Sequence, residues 1–237
     1  MAHGYALIAG AGPGLGAALA HRFAAGGLNV AVLARRHEGI AGIAETIARD
    51  GGTAQAYTCD VTQQDEVSDC FERADRDLGP LRTAIFNAGT FRPGSLLDID
   101  ASDFEACWRA GCLGGFLVGR EAARRLLNQA SGSILFTGAT AAWRGGNGFA
   151  NLAVPKFGLR ALAQSMAREF GPHGIHVAHV VIDGRIEPPD KAPAGDDEPP
   201  DNQLPPSAIA ETYWQIHCQP RGAWTHELDL RPWCEPF

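Results

Sequence analysis

Two groups of residues in this 237-residue chain have types and spacings suited to chemistry. The first is Gly10-Ala11-Gly12-Pro13-Gly14-Leu15-Gly16, a glycine-rich turn between an apolar run and an amphipathic stretch. Glycines let a backbone turn tightly and approach a pyrophosphate, while an opening helix offers unpaired N–H groups and a positive dipole end. No Gly-Lys-Ser/Thr follows, which excludes a Walker loop. The second group is Arg35-Arg36, which ends the apolar run Val32-Leu33-Ala34. An NAD-preferring site places a carboxylate there to accept from a ribose hydroxyl. Here no Asp or Glu stands in that run before His37. Two guanidiniums suit a 2′-phosphate instead, through charge-assisted hydrogen bonds. The pattern predicts a dinucleotide site that prefers NADP(H) to NAD(H).

Strands alternating with helices must hold these groups, and the hydrophobic pattern supplies them. Residues 5–9 read as a strand feeding the glycine turn and a helix that runs to residue 25. Residues 30–33 read as a second strand, 38–50 as a helix with Ile40, Ile43, Ala44 and Ile47 on one face, and 54–59 as a third strand. Thr62 with Asp65, and Ser102 with Glu105, resemble capping boxes that open helices to Leu78 and Asn128. Strands at 83–86, 133–137 and 177–182, a small glycine-rich loop at 138–148 and a helix at 151–170 follow, the last stopped by Gly171-Pro172. A short helix at 207–217 and an edge strand at 227–230 complete one domain over 1–237. Such alternation belongs to a parallel sheet covered by helices on both faces. Residues 187–206 hold seven prolines and six carboxylates without apolar periodicity, so 185–206 is expected to be a mobile substrate lid.

Composition excludes several classes. Hydrophobic residues make up 45% and charged residues 20%, values of a globular chain rather than a disordered one. Twenty basic against 27 acidic residues give a net charge of −7, so nucleic acid and anionic membrane are not expected partners. The six cysteines form no CxxC pair and no zinc spacing, which predicts free thiols and no metal. His173, His176 and His179 are spaced by threes across a turn into a strand and cannot share one face. No apolar run spans a membrane and no leader pattern opens the chain, so a cytoplasmic protein is expected.

Taken together, these residues resemble the short-chain dehydrogenase/reductase family. The likeness covers about residues 5–186 and rests on Gly10, Gly14 and Gly16, Asp60-Val61, Asn87-Ala88-Gly89, and Lys156 in the helix after the fifth strand. It implies a Rossmann-type α/β fold, a doubly wound, mostly parallel seven-stranded sheet with helices on both faces. It also implies a homodimer or homotetramer packed through helices at 103–128 and 151–170, where Gly111, Gly114 and Gly115 would permit close approach. By the same resemblance, Gly10, Gly14, Leu15, Gly16, Arg35, Arg36, Asn87, Ala88, Gly89 and Ile186 border the cofactor, with Asp60 and Val61 beside the adenine. Lys156 would bind the nicotinamide ribose and lower a neighbouring pKa.

The chain departs from the family where the chemistry is done. The family's general acid/base is a tyrosine four residues before the lysine, and here that residue is Leu152. Its serine, which hydrogen-bonds the substrate oxygen, corresponds to Ala139, with Thr140 adjacent. Its helix asparagine falls near Gly111, beside Cys112, and Asp183-Gly184 replaces the usual Pro-Gly. A positioned proton donor is worth about 10²–10⁴-fold in rate, so binding and catalysis are separated in this sequence. Thr140, Asn147, Asn151 and Lys156 are the candidate catalytic residues, with Trp143, Arg144, Asp183 and Arg185 around them. Three readings stay open for the small-molecule substrate. They are NADP(H) redox chemistry on an activated carbonyl, iminium, quinone or enone; a non-redox isomerase, lyase or cyclase; and a non-catalytic nucleotide-binding subunit.

Overall fold

The structure, a computed structural model, describes residues 4–188 and 201–235. Its seven strands are β1 (Tyr5–Ala9), β2 (Asn29–Ala34), β3 (Ala54–Thr58), β4 (Leu81–Phe86), β5 (Gly132–Thr137), β6 (Ile175–Ile182) and β7 (Glu227–Leu230). They form one sheet in the order 3-2-1-4-5-6-7, and every neighbouring pair is parallel. β1 and β6 are buried along their whole length, because a parallel sheet between two helical layers has no solvent face.

Strand periodicity divides the core in two. Tyr5, Leu7 and Ala9 face a layer built from α3 (Gln64–Leu78), α5 (Gly114–Leu127) and α6 (Ala150–Phe170). Ala6 and Ile8 face the opposite layer of α1 (Leu15–Ala25), α2 (Glu38–Arg49) and α7 (Pro206–His217). Strand order reverses between β1 and β4, so the loops after these two strands diverge and leave a crevice at the carboxyl ends.

Four local expectations change. The helix expected over 102–128 is divided, with α4 (Ala101–Trp108), a π-helical turn over Arg109–Leu113, and then α5. Neither capping box forms. Asp60 Oδ1 accepts from the Thr62 amide at 2.9 Å, which delays the start of α3 to Gln64, and α4 opens after Asp100 with no side-chain cap. Gly111, Gly114 and Gly115 are consumed by packing within the chain. A Cβ on Gly114 would meet Val61 at 2.9 Å, one on Gly115 would meet Leu159 at 2.3 Å, and Gly111 lies against Pro155. Finally, the stem of the 185–206 segment is paired rather than free. Ile186 and Leu204 form a parallel bridge, closed by Glu187 N–H to Leu204 O and Leu204 N–H to Arg185 O. Residues 189–200, the heart of the expected lid, lie outside the described residues.

Candidate active site

The glycine turn contains glycines of two kinds. Gly10 has φ +87°, and a Cβ there would stand 2.4 Å from the Ala88 nitrogen, so this glycine permits close contact between the loops after β1 and β4. Gly16 is tight against Ala11 in the same way, at 2.7 Å. At Gly12 and Gly14, by contrast, an added Cβ would meet nothing within 4 Å. These two positions border open space where α1 begins, and Gly14 supplies no side chain to cap the helix. The Ala17 amide donates to the Gly12 carbonyl at 2.8 Å, whereas the Leu15 and Gly16 amides have no backbone partner among the described residues, which makes this end receptive to an anion.

Asn87 ties the crevice together. Its Nδ2 donates to the Gly10 carbonyl at 3.0 Å, and its own amide donates to the Ala9 carbonyl at 2.8 Å. Ala88 and Gly89 follow on the same loop, with Gly89 exposed. Arg35 and Arg36 are exposed just past β2, one strand away from the glycine turn. Asp60 and Val61 follow β3, where Asp60 closes a turn and Val61 is buried against Gly114. Leu15 and Gly16 are buried in the first turn of α1, and Ile186 packs against the same layer. A dinucleotide fits this set. It requires open space over the glycines and helix amides free at Leu15 and Gly16, and both are present.

Lys156 projects from α6 toward the end of β5. It is 8% exposed, and Nζ donates to the Thr137 carbonyl at 2.6 Å. Among the described residues no carboxylate pairs with it, and burial lowers the ammonium from 10.5 to about 8. An unpaired ammonium in a desolvated wall releases its proton more readily than a surface lysine. Leu152, four residues earlier, is half-buried on the same helical face. All three tyrosines are engaged elsewhere, Tyr5 with Asp75, Tyr57 with Asp77, and Tyr213 with the Thr137 hydroxyl at 2.8 Å.

The other expected residues are arranged unevenly around this lysine. The Thr140 hydroxyl donates to Asp183 Oδ1 at 2.5 Å, and Asp183 Oδ2 takes Arg231 Nη2 at 2.7 Å. That chain fastens the loop after β5 to the ends of β6 and β7, and it commits the one hydroxyl proton of Thr140. Asn151 is 2% exposed, and its Nδ2 donates to the Arg92 carbonyl at 3.0 Å while its Oδ1 is buried without a partner. Asn147 is exposed in the loop before α6, with no hydrogen bond to the lysine. Ala139 is extended, at φ −158° and ψ 169°.

Sequence reasoning overlooked three features. Pro155 interrupts α6 one residue before the lysine, removing the amide that would bond the Asn151 carbonyl, and it seats against Gly111 in the π turn. Two helix irregularities thus face each other beside Lys156, and π turns recur at functional sites. Arg231, the partner of Asp183, lies 48 positions later and carries no local signal. His179 is fully buried beneath Gly138. Its Nδ1 bonds Glu227 at 3.0 Å, Arg160 clamps that carboxylate, and Nε2 has no partner. Burial pushes this imidazole down to about 4. The period-three spacing suggests only a surface or strand-packing role for it. Its position beneath the loop after β5 emerges when β6 pairs with β5 and β7.

Among the described residues no cluster of His, Cys, Asp and Glu is suited to a metal, and no helix is long and apolar enough to cross a membrane. All six cysteines are free thiols.

Comparison with known proteins agrees with this architecture. The family described as short chain dehydrogenase matches residues 4–191. A short-chain dehydrogenase/reductase of Armillaria gallica is 33% identical over 175 residues, which are 73% of this chain and 67% of that protein. The crystal structure of a short-chain dehydrogenase from Rhodopseudomonas palustris is 41% identical and superposes with a TM-score of 0.83, covering 96% of this chain and 99% of the other. A metagenomic short-chain oxidoreductase in complex with NADP shares the fold at 22% identity and a TM-score of 0.85, over 98% of this chain and 97% of its own. The chain belongs to the short-chain dehydrogenase family and has its oxidoreductase fold.

Proposed function

We propose that this protein binds NADP(H) at the carboxyl ends of β1, β2 and β4 and reduces an activated small molecule, with Lys156 in place of the usual phenol. The nicotinamide, when bound, supplies or accepts the hydride. Gly12 and Gly14 leave room for the pyrophosphate, the opening amides of α1 bind it, and Arg35 and Arg36 take the 2′-phosphate. The metagenomic short-chain oxidoreductase of the same fold was solved with NADP, in keeping with a nicotinamide nucleotide here, and the choice of NADP(H) over NAD(H) rests on the two arginines.

The observation that carries the reading is the unpaired, buried ammonium of Lys156, one helical turn from an aliphatic Leu152. Nζ keeps two N–H groups beyond the one given to Thr137, enough to orient a ribose and pass a proton directly or through water. The Thr140 proton is committed to Asp183, so this hydroxyl does not replace the family's serine without rearrangement. Substrates that need little proton assistance, such as an iminium, a quinone or a conjugated enone, match this site better than plain ketones.

The test is NADPH oxidation followed by absorbance with such a panel beside unactivated ketones. Activated substrates are expected to turn over and ketones to lag. Leu152→Tyr is expected to raise ketone reduction by about 10²-fold. Calorimetry in which neither nicotinamide nucleotide binds would overturn the reading. Tight binding without turnover of any substrate would establish the non-catalytic alternative.

A further inference from the structure

A cleft of about 540 Å³ opens at the far end of the sheet, where the strands begin. Gly4 before β1, Arg82 in β4, Gly132 in β5 and Gly174 before β6 form its floor, and α7 with the turn after it forms one wall. Strands of this length separate the cleft from the cofactor crevice by roughly 20 Å.

The cleft has a distinct chemistry. Arg82 and Arg221 line it, and no Asp or Glu does, although the chain as a whole carries −7. Each guanidinium touches a neutral oxygen, Arg82 Nη1 that of Gln129 at 3.1 Å and Arg221 Nη2 the Ala130 carbonyl. Among the described residues neither arginine has an ion-pair partner, so two positive charges share one concave wall uncompensated.

Gly174 makes that placement possible. Its φ is +86°, and a Cβ there would come within 2.5 Å of the Ala130 oxygen and 3.0 Å of Arg221 Nη2. A flat surface completes the cleft, because the Trp224 indole stacks on His176 with ring centres 4.8 Å apart and planes 2° from parallel. His176 is 4% exposed, its Nε2 donates to the Thr225 carbonyl at 2.8 Å, and its Nδ1 is buried without a partner. His217 Nδ1 pairs with Ser133 Oγ at 2.8 Å. Burial lowers both imidazoles, His217 to about 4, so the arginines supply the positive charge at neutral pH.

We propose that this cleft binds a small organic oxyanion, a carboxylate or phosphate group on a planar ring, with Arg82 and Arg221 holding the anion and the ring lying against Trp224. Paired guanidiniums give the directional, charge-assisted hydrogen bonds such an anion requires, and an indole face supplies apolar area to a flat body. The volume lies within the range of small-molecule sites. No cofactor residue takes part, so this cleft stands independently of the redox reading.

Benzoate, inorganic phosphate and neutral benzamide are suitable probes, followed through the indole N–H resonances of the five tryptophans, with Trp224 assigned by Trp224→Phe. Benzoate is expected to shift the Trp224 signal saturably, phosphate to compete with it, and benzamide to leave it unmoved. The double variant Arg82→Gln, Arg221→Gln is expected to weaken benzoate about 100-fold, near tenfold for each guanidinium removed. Arg35→Gln with Arg36→Gln is expected to leave the response intact, which separates this cleft from the cofactor cradle. Should the double glutamine variant fail to fold, Arg82→Lys and Arg221→Lys, which keep the charge but remove the fork, are each expected to weaken benzoate. An unmoved Trp224 signal, an equal response to benzamide, or a benzoate response that survives removal of both arginines would overturn the proposal.

Discussion

Replacing Lys156 with methionine tests the central electrostatic feature without requiring a substrate. The side chain is 8% exposed, and burial takes its ammonium from 10.5 to about 8. The folded protein therefore holds this proton less tightly than the unfolded chain does. Below pH 8 the buried charge opposes folding by about 3 kcal/mol, relative to a lysine free in water. Between pH 8 and 10.5 the unfolded chain binds the proton and the folded protein does not, so this group's contribution to stability rises with pH across that window. From pH 7 to pH 9 the gain is about 1.3 kcal/mol in the parent and zero in Lys156→Met.

At pH 7 methionine also forgoes the bond to the Thr137 carbonyl, a charge-assisted interaction of about 1.5–3 kcal/mol that partly offsets relief of the buried charge. The variant is accordingly expected to match or modestly exceed the parent's stability at pH 7, while losing nicotinamide-dependent turnover. Urea denaturation at pH 7, 8 and 9, compared through midpoints at a common slope, reads the effect. Cys107, Cys112 and Cys218 are raised by burial and act in the opposite direction near pH 9, but both proteins share them. Parallel pH profiles for parent and variant would refute the argument, because the lysine would then be neither strained nor poised to give up a proton.

The remaining predictions separate packing from binding. Gly10→Ala places a Cβ 2.4 Å from the Ala88 nitrogen at φ +87°, and thermal unfolding should register a loss of about 2 kcal/mol or more. Gly12→Ala meets nothing, so its stability should stay within ~0.5 kcal/mol while calorimetry finds nucleotide affinity reduced at least about tenfold. Arg35→Ala with Arg36→Ala should weaken NADPH by about 10–100-fold and NADH little, and equal losses for both nucleotides would contradict the assignment of the 2′-phosphate. Asp183→Ala strips a 2%-exposed carboxylate from Arg231 and Thr140, and denaturation should show a cost of about 3 kcal/mol.

The order of strands and helices was readable along the chain, because strand and helix periodicities each report which face of their own element is buried. The glycine turn was readable for a related reason. Tight turning and helix opening are local, contained within residues 10–16. Assembly determined what lies across from each face. Gly114 and Gly115 resembled a subunit contact until α5 packed on Val61, Phe86 and Leu159. Thr140 was a candidate catalytic residue by its place beside Ala139, but the end of β6 brings Asp183 within 2.5 Å of its hydroxyl, and the cleft between Arg82 and Arg221 exists only because the starts of β4 and β6 lie in one sheet. Lys156 shows the division plainly. Its place in the chain marked it as functional, whereas its lowered pKa depends on which groups surround it in space, and a one-dimensional pattern holds no record of desolvation or of the absence of a counter-charge.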